Sequence, residues 1–147
     1  MRGKFVSGFV LFAAFGLAGQ PCPWMNAATA EGSLGGKIDA VKVTAKSGDD
    51  AACFFESRNG PVVAKLEIET EMNGSFAGRC RSEAAPLKAI GTSAAACAGD
   101  DHSEMVVGRV RDRAFLVRIR TTDRSVKSAD LRETARKLAE QVAGILF

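Results

Sequence analysis

The chain has 147 residues, 20 Lys and Arg against 17 Asp and Glu, a single Trp and no Tyr. This length suits one domain with a hydrophobic core. Without its first 30 residues the chain loses two basic residues and keeps all 17 acids, so the formal charge falls from +3 to +1. A nearly neutral domain has no general attraction for nucleic acid or anionic lipid. The lack of Trp and Tyr in that domain disfavours sugar and nucleobase binding.

The first 30 residues have the three parts of a secretory signal peptide. Arg2 and Lys4 provide the positive start. The apolar run from Phe5 to Gly19 is about 15 residues long, and a bilayer span needs roughly 20. Small residues follow in Ala28-Thr29-Ala30, and we expect cleavage after Ala30. An earlier cut after Ala18 and a retained N-terminal anchor are the alternatives.

This interpretation divides the chain into a signal peptide (residues 1–30), a flexible leader (residues 31–36) and a single small α+β domain (residues 37–147). The mature chain would contain 117 of the 147 residues. It would be extracytoplasmic, either periplasmic or secreted, with no membrane span after cleavage.

Three strands are predicted in the first half of that domain. Residues 37–45 indicate a weak strand, with a short helix-strand junction as the alternative. Residues 52–56 indicate a short apolar strand, and residues 62–70 a half-buried strand of an antiparallel sheet. In the last of these, apolar and polar positions alternate: Val62, Ala64, Leu66 and Ile68 against Lys65, Glu67 and Glu69. The two glutamates are therefore expected to point outward, away from any cleft.

A hairpin is predicted later in the chain. Residues 75–85 are compatible with a short helix that Pro86 would end, and residues 89–98 with a strand. Between Glu104 and Thr121 the pattern indicates a hairpin that turns at Asp112-Arg113, with a four-residue loop as the alternative. One face of this hairpin is apolar, and the other carries Arg109, Arg111, Arg118 and Arg120.

An amphipathic helix closes the chain. Asp130 and Glu133 can form a capping box at its start. An apolar stripe at helical spacing follows, made of Leu131, Ala135, Leu138, Val142 and Leu146. The predicted fold is thus α+β: an antiparallel sheet of about five strands packed by the C-terminal helix, with a second short helix at residues 75–85.

Cleavage after Ala30 removes Cys22 and leaves Cys53, Cys80 and Cys97. In an oxidising compartment one pair is expected to form a disulfide. We predict Cys53–Cys97, because both lie in stretches with strand patterns, and Cys80–Cys97 is the alternative. The three residues are widely spaced and lack the close pair that is typical of zinc sites.

From Cys53 onward, the order of elements resembles that of small bacterial envelope proteins and lipoproteins of unknown function, which look like PsbP-type α-β-α sandwiches. The matching parts are Cys53-Phe54-Phe55, residues 62–70, Gly91-Thr92-Ser93-Ala94, the hairpin and residues 131–146. In many such proteins an acidic residue follows the turn glycine, where this chain has Thr92. The resemblance implies a binding or accessory role in the envelope and transfers no catalytic residues.

The arginine face of the hairpin is the predicted partner site. Arg109, Arg111, Arg118 and Arg120 could bind a protein carboxylate patch or another anionic ligand, and a solvated sheet face is the alternative. We therefore expect a non-enzymatic exported accessory domain that uses no cofactor or metal. Its partner would be a protein or an anionic ligand, and not nucleic acid.

Two other functions stay open. Cys80 lies between Arg79 and Arg81, whose charges favour a reactive thiolate, and Asp100, Asp101, His102 and Glu104 could group around a metal. Either arrangement would suit an exported thiol- or metal-dependent enzyme. A purely structural domain is the other alternative.

Overall fold

The computed structural model describes residues 20–147. The predicted positive start and apolar run of the signal peptide lie outside the described residues. The helices are α1 (Ala27–Leu34) and α2 (Ser128–Leu146). The strands are β1 (Ile38–Ala45), β2 (Ala51–Asn59), β3 (Val62–Met72), β4 (Ala85–Leu87), β5 (Ser93–Ala98), β6 (Ser103–Val110) and β7 (Arg113–Thr121).

All seven strands of the described chain join one antiparallel sheet in the order β1-β2-β3-β7-β6-β5-β4. The chain builds β1, β2 and β3 as neighbours and crosses to the far edge through residues 73–84. It then returns strand by strand, so that β7 pairs with β3. The predicted α+β class and antiparallel sheet are confirmed, but the expected number of about five strands is too low. The pattern missed β4, because a three-residue strand that contains Pro86 is too short to show alternation.

Helix α2 packs its predicted stripe on the sheet. Leu131, Ala135, Leu138 and Val142 are buried among sheet residues such as Phe115. The predicted capping box is wrong, because the helix begins earlier: Lys127 is the N-cap without a side-chain hydrogen bond, and Asp130 lies in the first turn. Within residues 20–147, neither helix has the length and apolar character that crossing a membrane requires.

The second helix lies near the start of the described chain and not at its predicted position in the middle. The helix predicted over residues 75–85 is absent: this segment contains the 3-10 turn Ala77–Arg79, and Ala85 begins β4. The second helix is α1, which Asn26 caps by accepting a hydrogen bond from the Thr29 backbone N–H at 2.8 Å. The prediction of a flexible leader at residues 31–36 is therefore wrong over residues 31–34, which form the end of α1.

The β6–β7 hairpin turns one residue earlier than predicted. Val110 pairs with Arg113, so Arg111 and Asp112 form a two-residue turn, with Arg111 at a φ of 54°. Moving the turn by one residue shifts the cross-strand pairing by two, and the side-chain direction in a strand repeats every two residues. The apolar and polar faces are therefore those predicted. Arg111, however, leaves the strand and lies in the turn.

The disulfides join Cys22 to Cys53 and Cys80 to Cys97. The predicted Cys53–Cys97 bridge is wrong, whereas its alternative, Cys80–Cys97, is present. Cys53 is on β2 and Cys97 on β5, four strand positions away in the sheet, or about 19 Å at the usual strand spacing. The two side chains also point to opposite faces: Cys53 belongs to the core beneath the helices, and Cys97 to a smaller cluster on the other face.

Both helices lie on the same face of the sheet, since α1 and α2 share one core with it. The described residues therefore form two layers, without the helices on both faces that the resemblance to α-β-α sandwiches implies. The opposite face of the sheet is free of α-helices, and it carries the polar side chains of the hairpin.

Candidate functional site

The helix-free face of the sheet is covered over one half and open over the other. The covered half lies over β5, β6 and part of β7, where the segment of residues 73–84 packs Phe76 on a small apolar cluster. Cys97 and Leu116 belong to this cluster, and the Cys80–Cys97 disulfide ties the segment to β5. The other half, over β1, β2, β3 and the adjoining part of β7, has no such cover, and we call it the open face.

The open face contains a groove of about 430 Å³. Strand pairing builds it from two parallel rows of side chains that run across four strands. The first row, from β1 to β7, is Lys42, Phe54, Glu67 and Arg118, and the second is Ala40, Glu56, Lys65 and Arg120. We call this set the open-face groove. It combines an aromatic ring, four cations and two acids on one surface.

Phe54 provides the apolar part of the groove. Its neighbour Phe55 is buried in the core, and strand alternation turns Phe54 to the other face, where 36% of its surface is exposed. Aromatic residues are enriched in protein interfaces, so Phe54 would give the groove an apolar contact for a partner.

A nearly buried pair of glutamates adjoins the groove. Glu67 and Glu69 project from β3 on the helix-free face, as alternation predicts, but they are only 5% and 7% exposed. Their outward direction is as expected, but Glu67 lines the open-face groove, so the expectation that they lie away from any cleft is wrong. Cations surround them: Arg118 forms an ion pair with Glu67, and Lys46 Nζ lies 3.0 Å from Glu69 Oε2. Arg79, on the covering segment, lies 3.7 Å from Glu67 and 3.6 Å from Glu69.

The two carboxyl groups have pKa shifts of opposite sign. Burial raises the pKa of Glu67, and its hydrogen bond with Glu69 raises it further. Together these two effects outweigh the attraction of Arg118, which lowers the pKa. Burial also raises the pKa of Glu69, but hydrogen bonds from Glu67 and Lys46 outweigh it, so that the pKa lies below its ordinary value. Of the two carboxyl groups, Glu67 is thus the one that holds a proton more readily.

The four predicted partner-binding arginines do not form one patch. Arg118 and Arg120 line the open-face groove. Arg109 lies under the covering segment and donates a hydrogen bond to the Gly74 carbonyl at 2.9 Å. Arg111 lies exposed in the hairpin turn. The structure therefore brings two of the four arginines together.

Neither alternative catalytic arrangement is assembled in residues 20–147. Cys80 is bonded to Cys97, so the predicted free thiol is absent. His102 Nε2 lies 2.9 Å from the Val126 carbonyl oxygen, and Glu104 faces α2, where Arg132 Nε is 3.0 Å away. In this part of the chain, no three His, Cys, Asp or Glu side chains group as metal ligands.

The sequence reasoning missed Lys42, Phe54 and Lys65 as groove residues. A signal for Phe54 was present: in a strand, the adjacent Phe54 and Phe55 must point to opposite faces, so one of them leaves the core. No local signal places Lys42 in the same row as Arg118, because only the order of the sheet, β1-β2-β3-β7, and its register align the two residues.

Comparison of the chain with protein-family models, with curated proteins and with solved structures found no match. The resemblance to small envelope proteins stays a prediction.

Proposed function

We propose that this protein is an exported, non-enzymatic binding domain that holds an acidic, extended segment of a partner protein in the open-face groove. The observation that carries the proposal is a groove with an exposed aromatic ring and four cations, which runs from β7 across β3 and β2 to the edge strand β1. Two disulfides support an oxidising, extracytoplasmic location for the domain.

The charge of the groove favours an acidic partner. Lys42, Lys65, Arg118 and Arg120 outnumber its two acids, Glu56 and Glu67. Lys65 lies 3.1 Å from Glu56, whereas no ion pair engages Lys42 among the described residues. An acidic side chain of a partner would therefore meet an excess of positive charge.

The edge strand provides a way to hold an extended backbone. β1 pairs with β2 on one side, and within residues 20–147 no strand pairs with its other side. Apart from the Ile38 N–H, which donates to Glu31 Oε1, the backbone groups on this side have no strand partner in residues 20–147 and could pair with an added strand, as in recognition by β-augmentation. Lys42 of this strand faces the groove, so a strand added beside it would place alternate side chains next to Lys42, at the end of the row that leads to the other groove cations.

The test uses charge reversal within the groove and a matched control outside it. Lys42→Glu with Arg120→Glu changes two partly exposed groove cations and spares Arg118, the partner of the buried Glu67. Lys88→Glu with Arg111→Glu makes the same charge change at exposed positions away from the groove. A photo-crosslinking amino acid in place of Val41, which is 48% exposed on β1, forms a covalent bond with any molecule that packs against this edge strand in the native envelope.

We expect the Val41 crosslinks to map to an acidic, extended segment of another protein. The groove variant should bind a synthetic peptide of that segment at least tenfold more weakly, about 1.4 kcal/mol, and the control variant should bind it as the wild type does. Binding should also weaken with salt, because exposed charges are screened. Unchanged affinity of the groove variant would contradict the proposal, as would a neutral crosslinked segment, a second copy of this chain at Val41, or no partner at all.

A further inference from the structure

We propose that export processing cuts the chain after Ala18, so that the mature domain begins at Gly19 and keeps Cys22, Trp24 and helix α1. This inference rests on the export that the proposed function includes. It differs from the cleavage after Ala30 that the small residues Ala28-Thr29-Ala30 suggest.

The disulfide pairing requires Cys22. Cys22 is bonded to Cys53, whose side chain is completely buried in the main core. A cut after Ala30 would leave three cysteines, and Cys53 would be the one without a partner. A cut before Cys22 leaves all four cysteines in two bridges, as expected for a small exported domain in an oxidising compartment.

Residues 22–34 also pack as part of the folded domain. Trp24 is 7% exposed and Ala30 is completely buried, and both belong to the main core with the buried face of α2. The Trp24 ring lies 5.8 Å from the guanidinium of Arg113, which itself pairs with Asp50. Removal of these residues would expose core surface that nothing else in residues 20–147 covers.

A cut after Ala30 would also divide a helix. α1 spans Ala27–Leu34, and its N-cap is the side chain of Asn26. Only Glu31–Leu34 would remain, which is one turn without a cap and far below the length at which a helix is stable alone. Glu31 Oε1 also accepts a hydrogen bond from the Ile38 backbone N–H at the start of β1.

The sequence offers a suitable earlier site. Gly16-Leu17-Ala18 has small residues at the two positions that a signal peptidase requires, and it comes directly at the end of the apolar run. The site at Ala30 would instead follow an additional stretch, from Gln20 onward, that contains Pro21 and Pro23. Both the sequence and the folded domain thus agree on Ala18.

The experiment is an intact-mass measurement on the full chain, expressed in a bacterium with its own N-terminus and recovered from the envelope or medium. We expect a product of 129 residues, Gly19–Phe147, with four hydrogens fewer than the reduced chain and with tryptophan fluorescence. A product of 117 residues without tryptophan fluorescence, or an uncleaved chain, would overturn the proposal.

Two arginine substitutions separate the candidate sites, because a charged residue at a small-residue position blocks the peptidase. Ala18→Arg should leave the precursor uncut. Ala28→Arg, at an exposed position of α1 that tolerates a long side chain, should give the same 129-residue product as the wild type. The reverse pattern would overturn the assignment.

The outcomes also separate this inference from the proposed function. A correctly cut protein that captures no acidic partner would refute the binding proposal alone. An uncleaved chain held inside the cell would refute both proposals, and a 117-residue product that still binds would refute only the processing site.

Discussion

Removal of the Cys22–Cys53 disulfide tests the most consequential feature of the fold, the attachment of the N-terminal segment to β2. The perturbation is Cys22→Ala with Cys53→Ala, in the mature chain. The bridge closes a loop over a sequence separation of 31 residues, and the chain-entropy relation gives about 3.7 kcal/mol for a loop of this length. Alanine leaves no unpaired thiol or hydroxyl in the core, so the loss reports chiefly on the bridge.

Urea unfolding followed by tryptophan fluorescence measures this loss directly. Trp24 is the only tryptophan of the chain and is buried near the bridge, so its emission reports on the segment itself. With an m-value of about 2 kcal/mol/M, the midpoint should fall by roughly 2 M. Circular dichroism, which is dominated by the sheet and α2, shows whether the rest of the domain unfolds at the same urea concentration.

The matched control removes the other bridge, by Cys80→Ala with Cys97→Ala. Its loop has a sequence separation of 17, for which the same relation gives about 3.1 kcal/mol. It should lower the midpoint while leaving the native emission of Trp24 unchanged, because that bridge lies on the opposite face. A loss below about 1 kcal/mol for the Cys22–Cys53 variant, or a red-shifted Trp24 emission before any urea is added to the wild type, would refute this account of the N-terminal segment.

Two further predictions concern the sheet. Because the pKa of Glu67 is raised in the folded state, its protonated form contributes stability that is complete below the ordinary value of 4.5 and is lost as the pH rises through the folded-state pKa. Glu67→Gln should therefore gain stability relative to the wild type as the pH rises from 4 to 8 in urea unfolding; parallel profiles of the two proteins would contradict the pKa assignment. Gly108→Ala should destabilise by about 1–3 kcal/mol, since a Cβ there would lie 2.5 Å from the Phe115 ring and 2.6 Å from a backbone oxygen. The control is Gly144→Ala in α2, where an added Cβ would have no neighbour within 4 Å, and it should stabilise the protein by up to about 1 kcal/mol. Thermal unfolding compares the two variants, and equal melting temperatures would contradict the close packing around Gly108.

Periodic elements of this protein were predictable because their signals are local. The alternation in residues 62–70 identified β3, and the stripe of α2 identified the helix and its buried face. The hairpin shows why faces are easier to predict than pairings. Its turn lies one residue away from the expected position, yet each side chain of the paired strands keeps its face, since the pairing moved by two residues.

The start of the domain was harder to place because two local signals compete there. The small residues of Ala28-Thr29-Ala30 suit a cleavage site as well as the first turn of a helix. Only the packing of Ala30 against the sheet and the bond from Cys22 to Cys53 identify the segment as part of the folded domain.

The candidate site depended most on tertiary structure. The amino-acid sequence by itself determined the class of fold, the faces of β3 and of the hairpin, and the final helix, because each follows from side-chain periodicity within one element. The tertiary structure decided which strands are neighbours and what covers them, which are non-local properties. It thereby separated Cys53 from Cys97, buried Glu67 beneath Arg79, and brought Lys42 into the same row as Arg118.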